Sequence, residues 1–140
     1  MKVIVKHQEG AGFLAETASG HPIQMDAAEA AGGRNLGARP MEVVLAGLGG
    51  CSTIDVMMIL KKSRQVVHDC TLVITAKRAD TLPPVFTEIH LSYQIRGRNL
   101  EDGKVQRAVS LSVEKYCSVT RMLEKTATIS YEYKIGSEAN

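Results

Sequence analysis

Apolar and polar side chains alternate with a period of two near both ends of the chain and through its middle, and this alternation predicts strands. Val3, Val5 and His7 fall on one face and Ile4 and Lys6 on the other, until Gly10 and Gly12 break the run and Phe13-Leu14-Ala15 starts another. Two short antiparallel strands joined by a glycine turn are expected there. A third follows Gly20, with His21, Ile23 and Met25 on one face. Pro22 within it requires an edge or an early strand position, because proline donates no ladder hydrogen bond. Further on, Cys70, Leu72, Ile74 and Ala76 oppose Thr71, Val73, Thr75 and Lys77, and Ile89, Leu91, Tyr93 and Ile95 oppose His90, Ser92, Gln94 and Arg96. With Pro83-Pro84 between them, these runs read as a long hairpin with a rigid connection. Ile129, Tyr131 and Tyr133 alternate with Ser130, Glu132 and Lys134 in a last strand.

Between the strands the period changes. Asp26 to Arg39 is small, loop-like and without sustained periodicity, and is expected to be a mobile connection. Pro40 suits a first helical turn, and Met41 to Lys62 is apolar on nearly every side, as in a helix buried in a core. Gly47, Gly49 and Gly50 each cost that helix about 1 kcal/mol relative to alanine. Close approach of another backbone would offset the cost; a kink before Cys51 is the alternative. A second helix spans about Glu101 to Tyr116, with Val105, Ala108, Val109, Ser112 and Tyr116 at three- and four-residue spacing. Cys117-Ser118 breaks or restarts it, and a short helix to Lys125 follows. The order of elements is that of an α+β fold in a single domain, residues 1–140, with no internal repeat or linker.

Composition narrows the function. The 140 residues are 44% hydrophobic and 23% charged, and a chain of that length can bury a core without disulfides or a structural metal. Seventeen basic against fifteen acidic residues, with no basic run longer than Lys61-Lys62, provide no footprint for nucleic acid or anionic lipid. Absence of Trp also removes the best base-stacking platform. The start of the chain alternates like a strand rather than forming a signal peptide, and the longest apolar run, Val43 to Cys51, is short for a membrane span. A cytoplasmic location is therefore expected, where three cysteines serve packing, redox chemistry or metal binding before structural bridges.

The three are not equivalent. Cys70 shares a strand face with Leu72, Ile74 and Ala76 and reads as an inert core side chain. His68, two residues earlier on the expected same face, offers one corner of a metal site, but no further ligand spacing completes it, so no metal or other cofactor is expected. Cys51 and Cys117 each lie near a break in an apolar helix, and a domain this small packs both helices on the same sheet. Asp55 lies one turn beyond Cys51, where an unpaired carboxylate would oppose thiolate formation.

The segment Ala38-Arg39-Pro40-Met41-Glu42-Val43-Val44-Leu45-Ala46-Gly47-Leu48-Gly49-Gly50-Cys51, with Cys117-Ser118-Val119 after a later helix, resembles the OsmC/Ohr family (osmotically inducible protein C, organic hydroperoxide resistance), and more narrowly its short YhfA-like branch. The resemblance covers essentially the whole chain. It implies an OsmC-like fold of antiparallel sheets wrapped around a long buried central helix, in an intertwined homodimer with active sites at the subunit interface. It further implies a peroxiredoxin-like role in the oxidative stress response, reducing organic hydroperoxides or hydrogen peroxide, with Cys51 as the peroxidatic thiolate, Cys117 as the resolving thiol and an external dithiol as reductant. Enzymatic members carry an acidic residue directly after the motif proline and an arginine upstream; here Met41 follows Pro40 and Glu42 comes one later. Glu42 either pairs with an arginine or is a first-turn carboxylate favoured by the helix N-terminus. Arg34, in the glycine-rich loop, is the candidate to fold over the thiolate, with Arg39 as the other arginine before Cys51; a solvated loop charge is the alternative for Arg34. A non-catalytic binding or redox-sensing dimer that keeps the fold is the competing function.

Overall fold

The computed structural model describes residues 1–10 and 12–136. Its contacts divide the chain into two compact units, Met1–Ala46 and Gly47–Asn140. In the first, β1 (Val3–Gln8), β2 (Gly12–Thr17) and β3 (Pro22–Met25) form an antiparallel sheet in the order β1-β2-β3. Pro22 opens the edge strand β3, where its missing donor costs the ladder least. Gly12 has φ +74° and comes so close to the next strand that a Cβ would lie 2.5 Å from the Met25 carbonyl oxygen.

The segment expected to be mobile is tied down by Asp26. This buried carboxylate accepts hydrogen bonds from the backbone N–H groups of Ala27 (2.8 Å), Arg34 (2.9 Å) and Leu36 (3.1 Å). Those donors, Arg34 and Leu36 foremost, hold its pKa below the ordinary carboxylate value. A short parallel bridge between Met25 and Ala38 closes the loop, with a 3-10 turn at Glu29–Ala31 inside it.

Helix α1 (Pro40–Lys62) begins with proline as its first residue, and Glu42, two positions later, turns back to accept the Arg39 N–H at 2.8 Å. This is the reciprocal half of a capping box. The helix is not buried all round, contrary to its sequence pattern. Leu48, Ser52, Val56 and Leu60, four residues apart, form one buried stripe, whereas Ile54 is 61% and Met58 52% exposed. Nor does a neighbouring backbone explain the glycines. A Cβ on Gly49 would meet the Ile74 side chain at 3.1 Å, and Gly47 and Gly50 face open space. By length and composition α1 could cross a bilayer, with mean hydropathy 1.9 over an 18-residue window, but the core helix of a globular unit has the same character.

In the second unit β4 (Val66–Arg78), β5 (Phe86–Arg98) and β6 (Thr128–Gly136) lie in the order β4-β5-β6. β4 and β5 form the expected antiparallel hairpin, but β6 runs parallel to β5, so this sheet is mixed rather than antiparallel. A parallel neighbour needs a crossover, and α2 (Asp102–Leu111) and α3 (Ser118–Leu123) occupy it. A register shift between Val67 and Asp69 leaves His68 as an extra residue in β4. The bulge breaks the alternation: His68 is exposed and Cys70 half-buried, so they do not share a face as the unbroken pattern implied. Ile89, Leu91, Tyr93 and Ile95 of the central strand are buried, as are Val105, Ala108 and Val109 of α2.

Candidate functional site

Cys51 and Cys117 come together. Their sulfur atoms and a carboxylate oxygen of Asp55 all lie within 4.8 Å of one another. Each part of the arrangement has a local cause. Ser52, adjacent to Cys51, faces the core, where its hydroxyl hydrogen-bonds the Tyr93 hydroxyl and meets the Ser112 hydroxyl at 2.8 Å. Ser112 also donates to the Ser52 carbonyl at 3.0 Å. The chain of hydroxyls is fully buried, and it pins α1 to β5 and to the end of α2 just where the two cysteines must meet.

Beyond α2 the backbone widens into a single π-helical turn, Ser112–Tyr116, which ends as the Cys117 N–H bonds the Ser112 carbonyl at 2.9 Å. Such a turn adds a residue to the helix and re-aims the backbone beyond it. Cys117 then caps α3 with its sulfur, which accepts the Thr120 N–H at 3.5 Å, in the place where serine or threonine ordinarily serves. Cys117 is fully buried and Cys51 half-buried. Burial pushes the Cys117 pKa up; hydrogen bonding from Thr120 pulls against this, and the neighbouring Cys51 adds to the rise. Asp55 comes one helical turn after Cys51, and its Oδ2 is buried with no hydrogen-bond partner among the described residues. The buried Thr120 hydroxyl is likewise without one.

The remaining candidates are placed elsewhere in the chain's organisation. Arg34, Arg39 and Glu42 belong to the first unit. Arg34 lends its N–H to Asp26, and its guanidinium passes over Gly10, an Nη lying 3.1 Å from where a Cβ there would be. Arg39 reaches the Gly37 carbonyl at 3.1 Å and the Asn35 side chain at 3.2 Å. Glu42 holds the Arg39 N–H, which matches its reading as a first-turn carboxylate. Cys70 is half-buried with its pKa raised by burial and then by Asp69. Sequence reasoning missed Ser52, Tyr93, Ser112 and Thr120. The signal for Thr120 was its position three residues after Cys117, that of a cap's bonding partner; the hydroxyl chain left none, because it joins residues far apart in sequence.

A mixed α+β chain with two three-stranded sheets and helices matches the fold of OsmC-like structures. Residues 32–132 match the family model for OsmC-like proteins, and the chain belongs to that family. It is 48% identical over 138 residues to Protein YhfA of Escherichia coli strain K12, covering 96% of this chain and 98% of that one. Among solved structures, a hypothetical protein from Aquifex aeolicus is similar at 33% identity with TM-score 0.85, covering 99% of this chain and 97% of the other. An organic hydroperoxide resistance protein OsmC from Legionella pneumophila shares the fold at 14% identity and TM-score 0.68, covering 96% and 97% of the two chains.

Proposed function

We propose that this protein is a thiol-dependent peroxidase acting on organic hydroperoxides or hydrogen peroxide, with Cys51 peroxidatic and Cys117 resolving. The supporting observation is the proximity of the two sulfurs, within 4.8 Å in the reduced state. In the first step the Cys51 thiolate attacks one peroxide oxygen, the O–O bond breaks, and a proton goes to the departing oxygen, leaving Cys51 as a sulfenic acid and releasing an alcohol or water. Cys117 then displaces hydroxide from that sulfur, water leaves, and a disulfide remains. A disulfide S–S bond is about 2.05 Å, so closure from the present separation needs a modest adjustment of side chains rather than refolding. An external dithiol returns the pair to two thiols and is itself oxidised. Burial favours the thiol form of Cys117, which suits the partner that reacts second.

The working unit is an intertwined homodimer in the cytoplasm, where dithiol reductants are available. Exposed Ile54 and Met58 on α1 support dimerisation, because an apolar helix face of this kind needs a cover. Peroxide consumption by purified protein with a dithiol reductant tests the reading, together with mass-spectrometric detection of the Cys51–Cys117 disulfide. Failure to consume either peroxide class and to form the disulfide would sink it. A second reading, a redox-sensing or ligand-binding dimer without turnover, is favoured by Met41 after Pro40 and by the engagement of Glu42 in the helix cap. It requires disulfide formation without turnover, or small molecules that co-purify.

A further inference from the structure

We propose that Cys51, Cys117 and Asp55 form a binding site for a thiophilic divalent cation of the zinc class. Three donors of the right kind, two sulfurs and one carboxylate oxygen, converge within 4.8 Å, all carried by the second compact unit. A tetrahedral zinc ion holds thiolate sulfur at about 2.3 Å and carboxylate oxygen at about 2.0–2.2 Å, which puts its ligand atoms somewhat under 4 Å apart. Closing the present arrangement onto an ion takes a shift on the order of 1 Å. Two protein thiolates, a carboxylate and one open position for water make a coordination set that zinc accepts and that magnesium or calcium does not.

Independent support comes from Asp55. A buried carboxylate oxygen without a hydrogen-bond partner among the described residues is costly, and the Asp55 carboxylate lies beside two thiols, which are weak donors and, once ionised, repel it. A cation between the three groups removes both penalties. The Thr120 hydroxyl adjoins the Cys117 sulfur and can donate to it in the thiolate form, the outer-sphere support that bound thiolates use. A cavity of about 620 Å³ is lined by Asp55 together with Lys62, Arg107, Leu111 and Tyr116. Its two cationic side chains disfavour a hard cation held by charge alone, which further selects an ion bound through sulfur. Binding releases the two thiol protons to solvent as the metal–sulfur bonds form, with no change in oxidation state.

The test uses the full chain, reduced under anaerobic conditions, with Co²⁺ as the optical probe and Zn²⁺ in competition with a chromophoric chelator. The expected result is one metal per chain, thiolate-to-cobalt charge-transfer bands and tetrahedral ligand-field bands, all displaced by Zn²⁺. Asp55→Asn weakens binding by at least the roughly tenfold that losing even an outer-sphere partner costs. Cys51→Ser or Cys117→Ser reduces the charge-transfer intensity and the affinity. No thiolate band, or an unchanged affinity in Asp55→Asn, overturns the proposal. Should a variant fail to fold, alkylation of the unsubstituted protein decides: Zn²⁺ must slow modification of Cys51 and Cys117 relative to Cys70, and equal rates overturn the site. No peroxide enters these measurements, so the metal site and the peroxidase reading stand or fall separately.

Discussion

At the scale of single residues, the two cysteines differ in what their removal does. With Cys51→Ser the proposed peroxidase loses turnover. With Cys117→Ser, Cys51 still reacts once and stops at the sulfenic acid, so a dimedone adduct at Cys51 and an absent second turnover are the expected signature. Ser52→Ala strands the Tyr93 hydroxyl in the core and removes the link to Ser112, at a cost of about 1–3 kcal/mol by urea denaturation. Because the same network places Cys51 opposite Cys117, disulfide formation slows in that variant while Cys70 alkylates as before. The pair was legible in the sequence through its family motif, and Cys117 also through its position at a helix break; the break expected before Cys51 is not there, because α1 runs unbroken through it. The hydroxyl chain was not, since Ser52, Tyr93 and Ser112 look like unrelated polar positions until α1, β5 and the end of α2 are packed. Asp55 was visible as one turn from Cys51, but its orphaned oxygen depends on burial that only the packed unit supplies.

At the scale of elements, alternation located every strand, yet it carried no information on direction. β6 alternates identically whether parallel or antiparallel to β5; the crossover through α2 and α3 decides. The bulge at His68 was invisible for a similar reason, because one extra residue shifts a face without changing composition. The π-helical turn before Cys117 is held to β6 by a hydrogen bond from the Tyr131 hydroxyl to Glu114 at 2.5 Å. That bond, then burial, raises the Tyr131 pKa from an ordinary 10.0 to about 12. A phenol whose pKa is raised on folding stabilises the native state fully below its unfolded pKa. Between about 10 and 12 the unfolded chain releases the proton first, so stability falls as pH rises through that window. Glu114→Gln removes the charge that opposes ionisation. Ultraviolet titration of this variant therefore shows the Tyr131 transition moved down toward 10, and its stability declines less steeply in alkali. At the opposite extreme, Asp26 has a lowered pKa, and its contribution is present above the ordinary carboxylate value and lost as pH falls through the lowered one. Asp26→Ala exposes the Arg34 and Leu36 amides, and faster hydrogen exchange at those two positions is the expected readout.

At the scale of the whole molecule, the apolar character of α1 implies burial on all sides when read from sequence, and the single chain satisfies it along one stripe only. The difference has a physical origin: hydropathy reports what must leave water, not whether the same chain or a second copy covers it. Ile54 and Met58 lie four residues apart on the uncovered side, and Val66 and Val73 of β4 are also exposed, at 48% and 46%. In the proposed homodimer a second copy covers this face. Burying a side chain the size of isoleucine or methionine is worth about 1.5–3 kcal/mol, so a charge introduced among them removes that gain and adds the cost of desolvating a carboxylate. Ile54→Asp is accordingly expected to raise the dimer dissociation constant by about tenfold or more for each 1.4 kcal/mol lost. Sedimentation velocity over a concentration series reads this directly. Because Ile54 points away from the buried stripe of Leu48, Ser52, Val56 and Leu60, the variant keeps its circular dichroism spectrum. Wild-type protein that sediments as a monomer at micromolar concentration would leave the apolar face of α1 without a second copy as its cover.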